Sequence, residues 1–506
     1  MTDTPAGRIH HLLDHLHAER PDHPILHEPH GTTSVAQLVA LSAQVESELR
    51  ADGVGPGDRV LIVAENCAAH IALLFACSRI GAWTCGLNAR LAPAEVAGFA
   101  AKADARVAYF TSGVSDAAAA HARTAGAWAS VLPGLERGPV SRASQPEGGP
   151  LAERVAAAIF TSGTTGSPKG VLVSHLGLTH FARVSAASRS LTPEDRAYAF
   201  LPMTHIFGLA TVLMASLQAG CGLVLRARFD LADVVHALAH EQVSNLQGPP
   251  TLFSRLLAEL DRHGIRQPDA PFLRYLYTGS APMDMALKAQ VEARFGLPLH
   301  HGYGLSEYAG SLILTSQAAP RRDSAVGHLA EGAEVRIVDT QGRDLPAGER
   351  GEIWIRGPGL MPGYYRDEAA TAQVMRPGGW YASGDLGRID PADGAVFIVG
   401  RLKELIIRSG FNVYPAEVEA ALNEFPAVRH AAVVGRPEAD GNEQVIAYVE
   451  LRAGATLDAV ALDAFLRERL APYKRPSQVV TVEALPVTPN GKVVKRRLLE
   501  MHPPEN

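Results

Sequence analysis

Apolar and polar positions alternate in two different rhythms along this chain. In residues 8 to 110 helical and strand patterns take turns. Ile9, Leu12, Leu13 and Leu16 share one helical face, and Val35 to Leu49 continues as a second helix. Asp58-Arg-Val-Leu-Ile-Val63 is a short buried strand behind the turn signal Gly55-Pro-Gly57. A mostly apolar helix from Ala68 to Gly81 precedes Ala82 to Asn88, and Val107 to Phe110 closes a further βαβ-like unit. This rhythm predicts a doubly wound α/β layer. Residues 112 to 131 are alanine-rich and helix-prone, and Pro133 to Pro150 reads as a mobile surface linker. Two strand-like runs, Val155 to Phe160 and Val171 to Ser174, flank a polar stretch. Helices follow at Leu176 to Ser190, Leu231 to Glu241 and Pro249 to His263. Ile206 to Leu225 carries no formal charge, at about the length of a membrane span. Gln218, Gly220 and Gly222 divide it into a helix-like and a strand-like half, so no membrane span is predicted.

From about residue 325 short strands dominate, separated by Gly342, Pro346-Ala-Gly348 and Asp393-Gly394. A β-barrel or small antiparallel sheet over 325–400 is predicted. Gly400-Arg-Leu-Lys-Glu404 marks a boundary, and an α+β pattern occupies the rest. There a helix starts at Pro415 and buries Val418, Leu422 and Phe425. Strands at 431–435 and 445–451 precede a helix from Asp458 to about Leu470. The expected fold class is α/β, with a large N-terminal domain (1–400) of doubly wound sheets plus the small β-barrel, and an α+β C-terminal domain (404–506).

Composition narrows the functional classes. The chain has 506 residues, 47% apolar and 20% charged, enough for a sizeable core. A net charge of −6 excludes the basic footprint of a nucleic-acid-binding protein, and Lys495-Arg496-Arg497 reads as a solvated face. Cys67, Cys77, Cys85 and Cys221 lack CxxC spacing, as free thiols in a reducing compartment would. With no apolar signal segment at Met1 to His10, a cytoplasmic monomer or homodimer is expected.

The polar stretch is Thr161-Ser162-Gly163-Thr164-Thr165-Gly166-Ser167-Pro168-Lys169-Gly170. Its hydroxyls, its lysine and free N–H groups on glycine-rich backbone suit a polyphosphate. A Walker loop would open a helix, whereas Lys169 is followed by Gly170 and a strand. Five further stretches are polar and glycine-rich. Leu201-Pro-Met-Thr-His-Ile-Phe-Gly208 presents His205, which alone reads as a core histidine. His301-Gly-Tyr-Gly-Leu-Ser-Glu307 offers a ring to stack on a base and a carboxylate for magnesium, or a plain turn with an exposed acid. Tyr381-Ala-Ser-Gly-Asp-Leu-Gly387 holds Asp385, suited to ribose hydroxyls. Arg401 could reach the same sugar or form a structural ion pair with it. Thr488-Pro-Asn-Gly-Lys492 presents a lysine from a turn.

In order and spacing these motifs resemble the acyl-adenylate-forming superfamily of acyl-CoA synthetases, luciferases and peptide-synthetase adenylation domains. The resemblance covers nearly the whole chain and is most like an acyl-CoA synthetase. It implies that Thr161, Ser162, Gly163, Thr164, Thr165 and Lys169 cradle the β- and γ-phosphates of ATP. Tyr303 would pack on adenine beside Gly279, Ser280 and Ala281, within a nucleotide site that takes in Gly302 and Gly304. Ser306, where the family more often has threonine, would bond the α-phosphate, and Glu307 would hold Mg2+. Asp385 and Arg401 would bind ribose. Lys492 would bridge the acid and the α-phosphate. Lys403 falls at a hinge over 401–403, about which the C-terminal domain swings, and Gly410 would then line the coenzyme A tunnel. His205 would gate or polarise the acyl group, with Phe207, Gly208, Gly279, Gly302, Ala309 and Gly310 around the acid. The function implied is an ATP-dependent carboxylic acid–CoA ligase acting through an acyl-adenylate. Its expected substrate is an aromatic or short- to medium-chain aliphatic monocarboxylate. Arg183, the one cation in the expected pocket, leaves a dicarboxylate less favoured. The alternatives are a stand-alone adenylation enzyme loading a carrier protein, a luciferase-like oxygenase, and a non-catalytic ligand-binding paralogue.

Overall fold

The two rhythms of the sequence become two kinds of sheet. The structure, a computed structural model, describes residues 7–161, 169–408, 411–438, 442–487 and 493–501. In the first sheet, of seven strands, Arg59–Ala64 is buried along its whole length. It runs parallel to Val107–Phe110 on one side and Trp83–Asn88 on the other. Strands covered on both faces need continuous apolar runs rather than alternation, which is what these stretches carry. Trp83–Asn88 runs parallel to Val155–Thr161, which turns back antiparallel as Lys169–Ser174. The polar stretch therefore connects two strands of one sheet.

The second sheet has nine strands. Its parallel part comprises Pro24–Glu28, Gly222–Leu225, Arg196–Ala199, Asn245–Gly248, Tyr275–Thr278 and Leu299–Leu305. Gly310–Leu314 then pairs antiparallel with Leu299–Leu305. The uncharged segment 206–225 is a π-helix, Phe207–Met214, then the α-helix Ala215–Ala219 and the strand Gly222–Leu225. No helix among the described residues is long and apolar enough to cross a membrane.

The β-rich unit is an open antiparallel sheet of five strands around the long strand Trp380–Ile389. Beyond it Val428–Pro437, Glu443–Leu451 and Gln478–Val482 form a three-stranded sheet with its own core. Pro415 opens the helix Pro415–Asn423, which buries Val418 and Leu422. Asp458 caps the helix Ala459–Arg467 by accepting the N–H groups of Val460 and Ala461.

One expectation fails in an informative way. Residues 133–150 are not a mobile surface linker. Glu136–Arg137 adds a strand beside Val107–Phe110, and the Glu147 N–H donates to Gly57 O at 3.0 Å. The cause is Arg59, whose side chain is fully buried. Its guanidinium donates to the carbonyls of Gly57, Ala103, Asp104 and Gln145 at 2.7–3.2 Å. It also pairs with the Asp104 carboxylate at 2.9 Å. A buried cation must be neutralised and hydrogen-bonded, so the segment that supplies an acceptor is drawn down. Arg59→Met should cost about 3 kcal/mol, the size of a broken buried pair. A lower urea midpoint and faster proteolysis within 139–149 are the expected readings. An unchanged midpoint with unchanged cleavage would refute the role given to Arg59.

Candidate active site

Strand register builds the first part of the site. Asp385 and Arg401 are direct cross-strand partners in the open sheet. Arg401 Nε lies 3.1 Å from Asp385 Oδ1. The other carboxylate oxygen accepts the Tyr303 hydroxyl at 2.6 Å. Desolvation first, and then the Asp385 charge, hold the Tyr303 phenol well above its usual pKa, so it stays a donor. Tyr303 belongs to the Leu299–Leu305 strand of the nine-stranded sheet, so this bond joins two sheets. That strand runs into the 3-10 turn Ser306–Tyr308, which ends at Ala309 in the left-handed conformation, φ 54°. Ser306 is buried there, and Glu307 follows it.

A second cluster forms around Glu307. Tyr364 donates its hydroxyl to Glu307 Oε1 at 3.0 Å, with the Tyr381 hydroxyl 3.4 Å away. The Lys169 ammonium sits 4.8 Å from the centroid of the Tyr364 ring, a cation–π contact. Burial, followed by the Glu307 charge, raises the Tyr364 pKa. The backbone makes the same connection. The Leu172 N–H donates to Gly363 O, the Tyr365 N–H to Gly170 O, and the Met361 N–H to Glu307 O, at 2.7–3.1 Å. Residues 361–365 thus clasp both the strand leaving the polar loop and the turn carrying Glu307. At the boundary turn Leu402–Glu404, desolvation and the Arg401 charge hold the Lys403 ammonium below its usual pKa, and Lys169 adds to the effect.

The third part is a mainly apolar cluster. His301 Nε2 lies 3.2 Å from Ala281 O, anchoring the 279–281 turn, and Ser280 takes φ 72° there. Burial lowers the His301 pKa to about 4, so the ring is neutral and donates. Beside this turn the buried Tyr277 bonds Ser311 Oγ at 3.1 Å. Its ring meets Phe207 edge-on at 6.0 Å. A Cβ on Gly302 would lie 2.3 Å from the Tyr277 hydroxyl, and one on Gly208 2.2 Å from Pro202 O, so neither position admits a side chain without displacement. Gly310 faces Phe181 in the same way, next to the buried Ala309. His205 Nδ1 accepts the Phe207 N–H at 3.2 Å. The segment holding His205 is tied down by Asn66. Its amide donates to Ala199 O and Leu201 O and accepts the Met203 N–H, at 2.9–3.3 Å.

The structure thus brings Tyr303, Asp385 and Arg401 together, links Lys169 to Glu307 through Tyr364, and sets Phe207, Gly279 and Gly302 beside Tyr277, while Gly310 packs on Phe181 and Ala309 lies against Gly177. Thr161 is described by its backbone alone; Ser162, Gly163, Thr164, Thr165, Gly410 and Lys492 lie outside the described residues. Sequence reasoning did not single out Tyr364, Asn66 or Tyr277. Tyr364 and Tyr365 behind Gly363 form an adjacent aromatic pair, the one local signal that could have found Tyr364.

The AMP-binding enzyme family profile matches residues 13–365, and the C-terminal domain profile of AMP-binding enzymes matches residues 417–492. The chain is 35% identical to a feruloyl-CoA synthase of an Amycolatopsis species over 472 residues, covering 92% of this chain and 94% of the relative. It is 34% identical to an indoleacetate–CoA ligase of Aromatoleum aromaticum, covering 92% of each. The ATP-bound crystal structure of MatB from Rhodopseudomonas palustris superposes with a TM-score of 0.85 at 30% identity, over 98% of this chain and 99% of that one. The chain therefore belongs to the AMP-binding enzyme family, within its AMP-forming acid–CoA ligases.

Tyr364→Phe keeps the ring under Lys169 and deletes the bond to Glu307. It should lower kcat/KM for ATP about tenfold, or ~1.4 kcal/mol, near the lower end for one hydrogen bond to a charged group. Steady-state kinetics with an accepted acid reads this directly, and wild-type values would refute the positioning role.

Proposed function

We propose that this enzyme activates a monocarboxylic acid with ATP, forming an acyl-adenylate and pyrophosphate, and then transfers the acyl group to coenzyme A. The carrying observation is the convergence of Tyr303 with the Asp385–Arg401 pair, and of Lys169 and Glu307 on the two sides of Tyr364, from stretches far apart in sequence. In this reading Asp385 and Arg401 take the ribose, Tyr303 lies against the adenine beside Gly279, Ser280 and Ala281, and Ser306 bonds the α-phosphate. Lys169, with the hydroxyls from Thr161 to Thr165, holds the β- and γ-phosphates.

Glu307 fits a magnesium ion. One of its oxygens is bonded to Tyr364, and Oε2 carries no bond to a described residue. A single carboxylate with substrate phosphates is the usual magnesium environment. When bound, the ion would neutralise phosphate charge. The chain's own residues orient the triphosphate and screen its repulsion from the incoming carboxylate. Lys492 is assigned to bridge the acid and the α-phosphate in the first step. The second step needs that lysine withdrawn, so residues 401–403 are assigned as the hinge, with Lys403 in it. Gly410 then enters the thiol tunnel.

An aromatic acid is favoured. The place proposed for it is lined by Phe207, Tyr277 and glycine backbone, and the two relatives at 34–35% identity are named for feruloyl and indoleacetate groups. A second substrate carboxylate finds no partner in Arg183, which is half exposed and bonded to Glu331 at 2.8 Å. His205 is assigned to orient the acyl group.

The test is acid-dependent release of pyrophosphate from ATP across a panel of aromatic and aliphatic monocarboxylates, followed by mass spectrometry for the acyl-CoA. Lys492→Ala should slow the release at least a hundredfold, or about 3 kcal/mol of transition-state stabilisation. Release at the wild-type rate in that variant would sink the mechanism, and acyl product on a carrier protein alone would sink the coenzyme A step.

A further inference from the structure

The basic run Lys495-Arg496-Arg497 is not one solvated face. Arg496 conforms, with a side chain 77% exposed and paired with Glu500. Lys495 instead turns inward, where its ammonium lies 2.8 Å from Glu419 Oε1 and 3.0 Å from Glu404 Oε2. Desolvation opposes the charge, but Glu419 and Glu404 together outweigh it and raise the Lys495 pKa, so the lysine stays ionised. The two carboxylates come from separate elements. Glu419 lies in the helix Pro415–Asn423 and also accepts the Val433 N–H at 2.8 Å. Glu404 ends the turn Leu402–Glu404, at the edge of the proposed hinge.

Both sides of this ion triad are anchored. On the hinge side Arg401 is held in the open sheet by Asp385, while Ile406, two residues after Glu404, is buried in the core of the C-terminal domain. Leu402 and Lys403 are all that lies between the residue fixed to the N-terminal domain and the one fixed by Lys495. On the other side the stretch 488–492 is closed at its base. Val487 pairs antiparallel with Val493, and the Val494 N–H donates to Pro486 O at 2.7 Å. Lys495 follows directly and opens the helix Lys495–Met501, whose Leu498 is fully buried in a core with Val434 and Tyr448.

We propose that Lys495 is a positioning residue for the first half of the reaction, fastening the far end of the hinge turn to the base of the stretch that carries Lys492. The tie narrows the hinge to Leu402 and Lys403. Rotation there carries Lys492 as part of one rigid body and sets its ammonium down at one place. A charge that must meet both the acid and the α-phosphate gains from such fixing, because a small misplacement forfeits much of its effect. A part-buried cation shared by two carboxylates is screened less than a surface pair, which suits it to the task. The second half-reaction needs Lys492 withdrawn and so does not depend on the tie. The inference rests on the role proposed above for Lys492.

Lys495→Met removes the cation, and Glu404→Gln removes one of its charges while keeping an acceptor. Each should slow the kcat of acid-dependent ATP–pyrophosphate exchange about tenfold, equivalent to ~1.4 kcal/mol, with the KM for ATP unchanged. Acyl transfer to coenzyme A from the synthetic adenylate of an acid that the wild type accepts should keep its wild-type rate, which also reports that the variants are folded. Lys495→Arg, whose fork can pair with both carboxylates, should restore exchange. Wild-type exchange in both Lys495→Met and Glu404→Gln, or an equal slowing of exchange and transfer, would overturn the positioning role. A Lys492→Ala enzyme that exchanges pyrophosphate at the wild-type rate would instead overturn the reading beneath it.

Discussion

The site depends on a backbone clasp. Residues 361–365 bond the strand Lys169–Ser174 and also the turn that carries Glu307. Tyr364 repeats the connection through its side chain, with its hydroxyl on Glu307 and its ring under Lys169. Like charges on a triphosphate must be met by groups fixed in advance, because donors that move into place during reaction lose much of their effect. Here the fixing is done by a segment that contributes no residue to the recognised nucleotide motifs. The seven-stranded sheet delivers Lys169, the nine-stranded sheet delivers Glu307 and Tyr303, and the open sheet delivers Asp385 and Arg401. The clasp and the Tyr303–Asp385 bond hold those three deliveries together.

Much of this was legible in the sequence because it is local. Glycines beside hydroxyls, an aromatic between glycines, and an acid in a tight turn each announce chemistry within a few residues. Apolar runs announced the buried parallel strands, and Pro415 announced its helix. What escaped is tertiary. Tyr364 reaches Glu307 across 57 positions, and Asn66 reaches Met203 across 137. Composition also misled at 133–150, where Pro, Gly and Ser suggest solvent while a buried arginine elsewhere recruits the carbonyls. The π-helical form of 207–214 was hidden because the segment is apolar all round and has no face to give it a period.

The places proposed for the acid and for the nucleotide draw on the same strands yet differ in character. In the proposed reading Gly302 and Gly279 serve both, and their missing side chains leave room for the Tyr277 ring. On the acid side the walls are Phe207, Tyr277 and Ser311. On the nucleotide side they are charged and bonded to one another.

The π-helix Phe207–Met214 follows His205 and sets Phe207 against Tyr277, and its wide turn closes with the Ala215 N–H on Ala210 O, five residues back. The Thr211 carbonyl is taken instead by the buried Arg189 at 2.7 Å. A helix of this kind holds one more residue per ring than an α-helix. Losing a single residue here would tighten the turn and rotate Phe207 relative to the strands, while Lys169, Glu307, Asp385 and Arg401 stayed where they are. In the proposed reading the enzyme therefore keeps its choice of acid on a part that can be resized by insertion or deletion, apart from the residues assigned to ATP. A lineage can change what it activates without rebuilding how it activates.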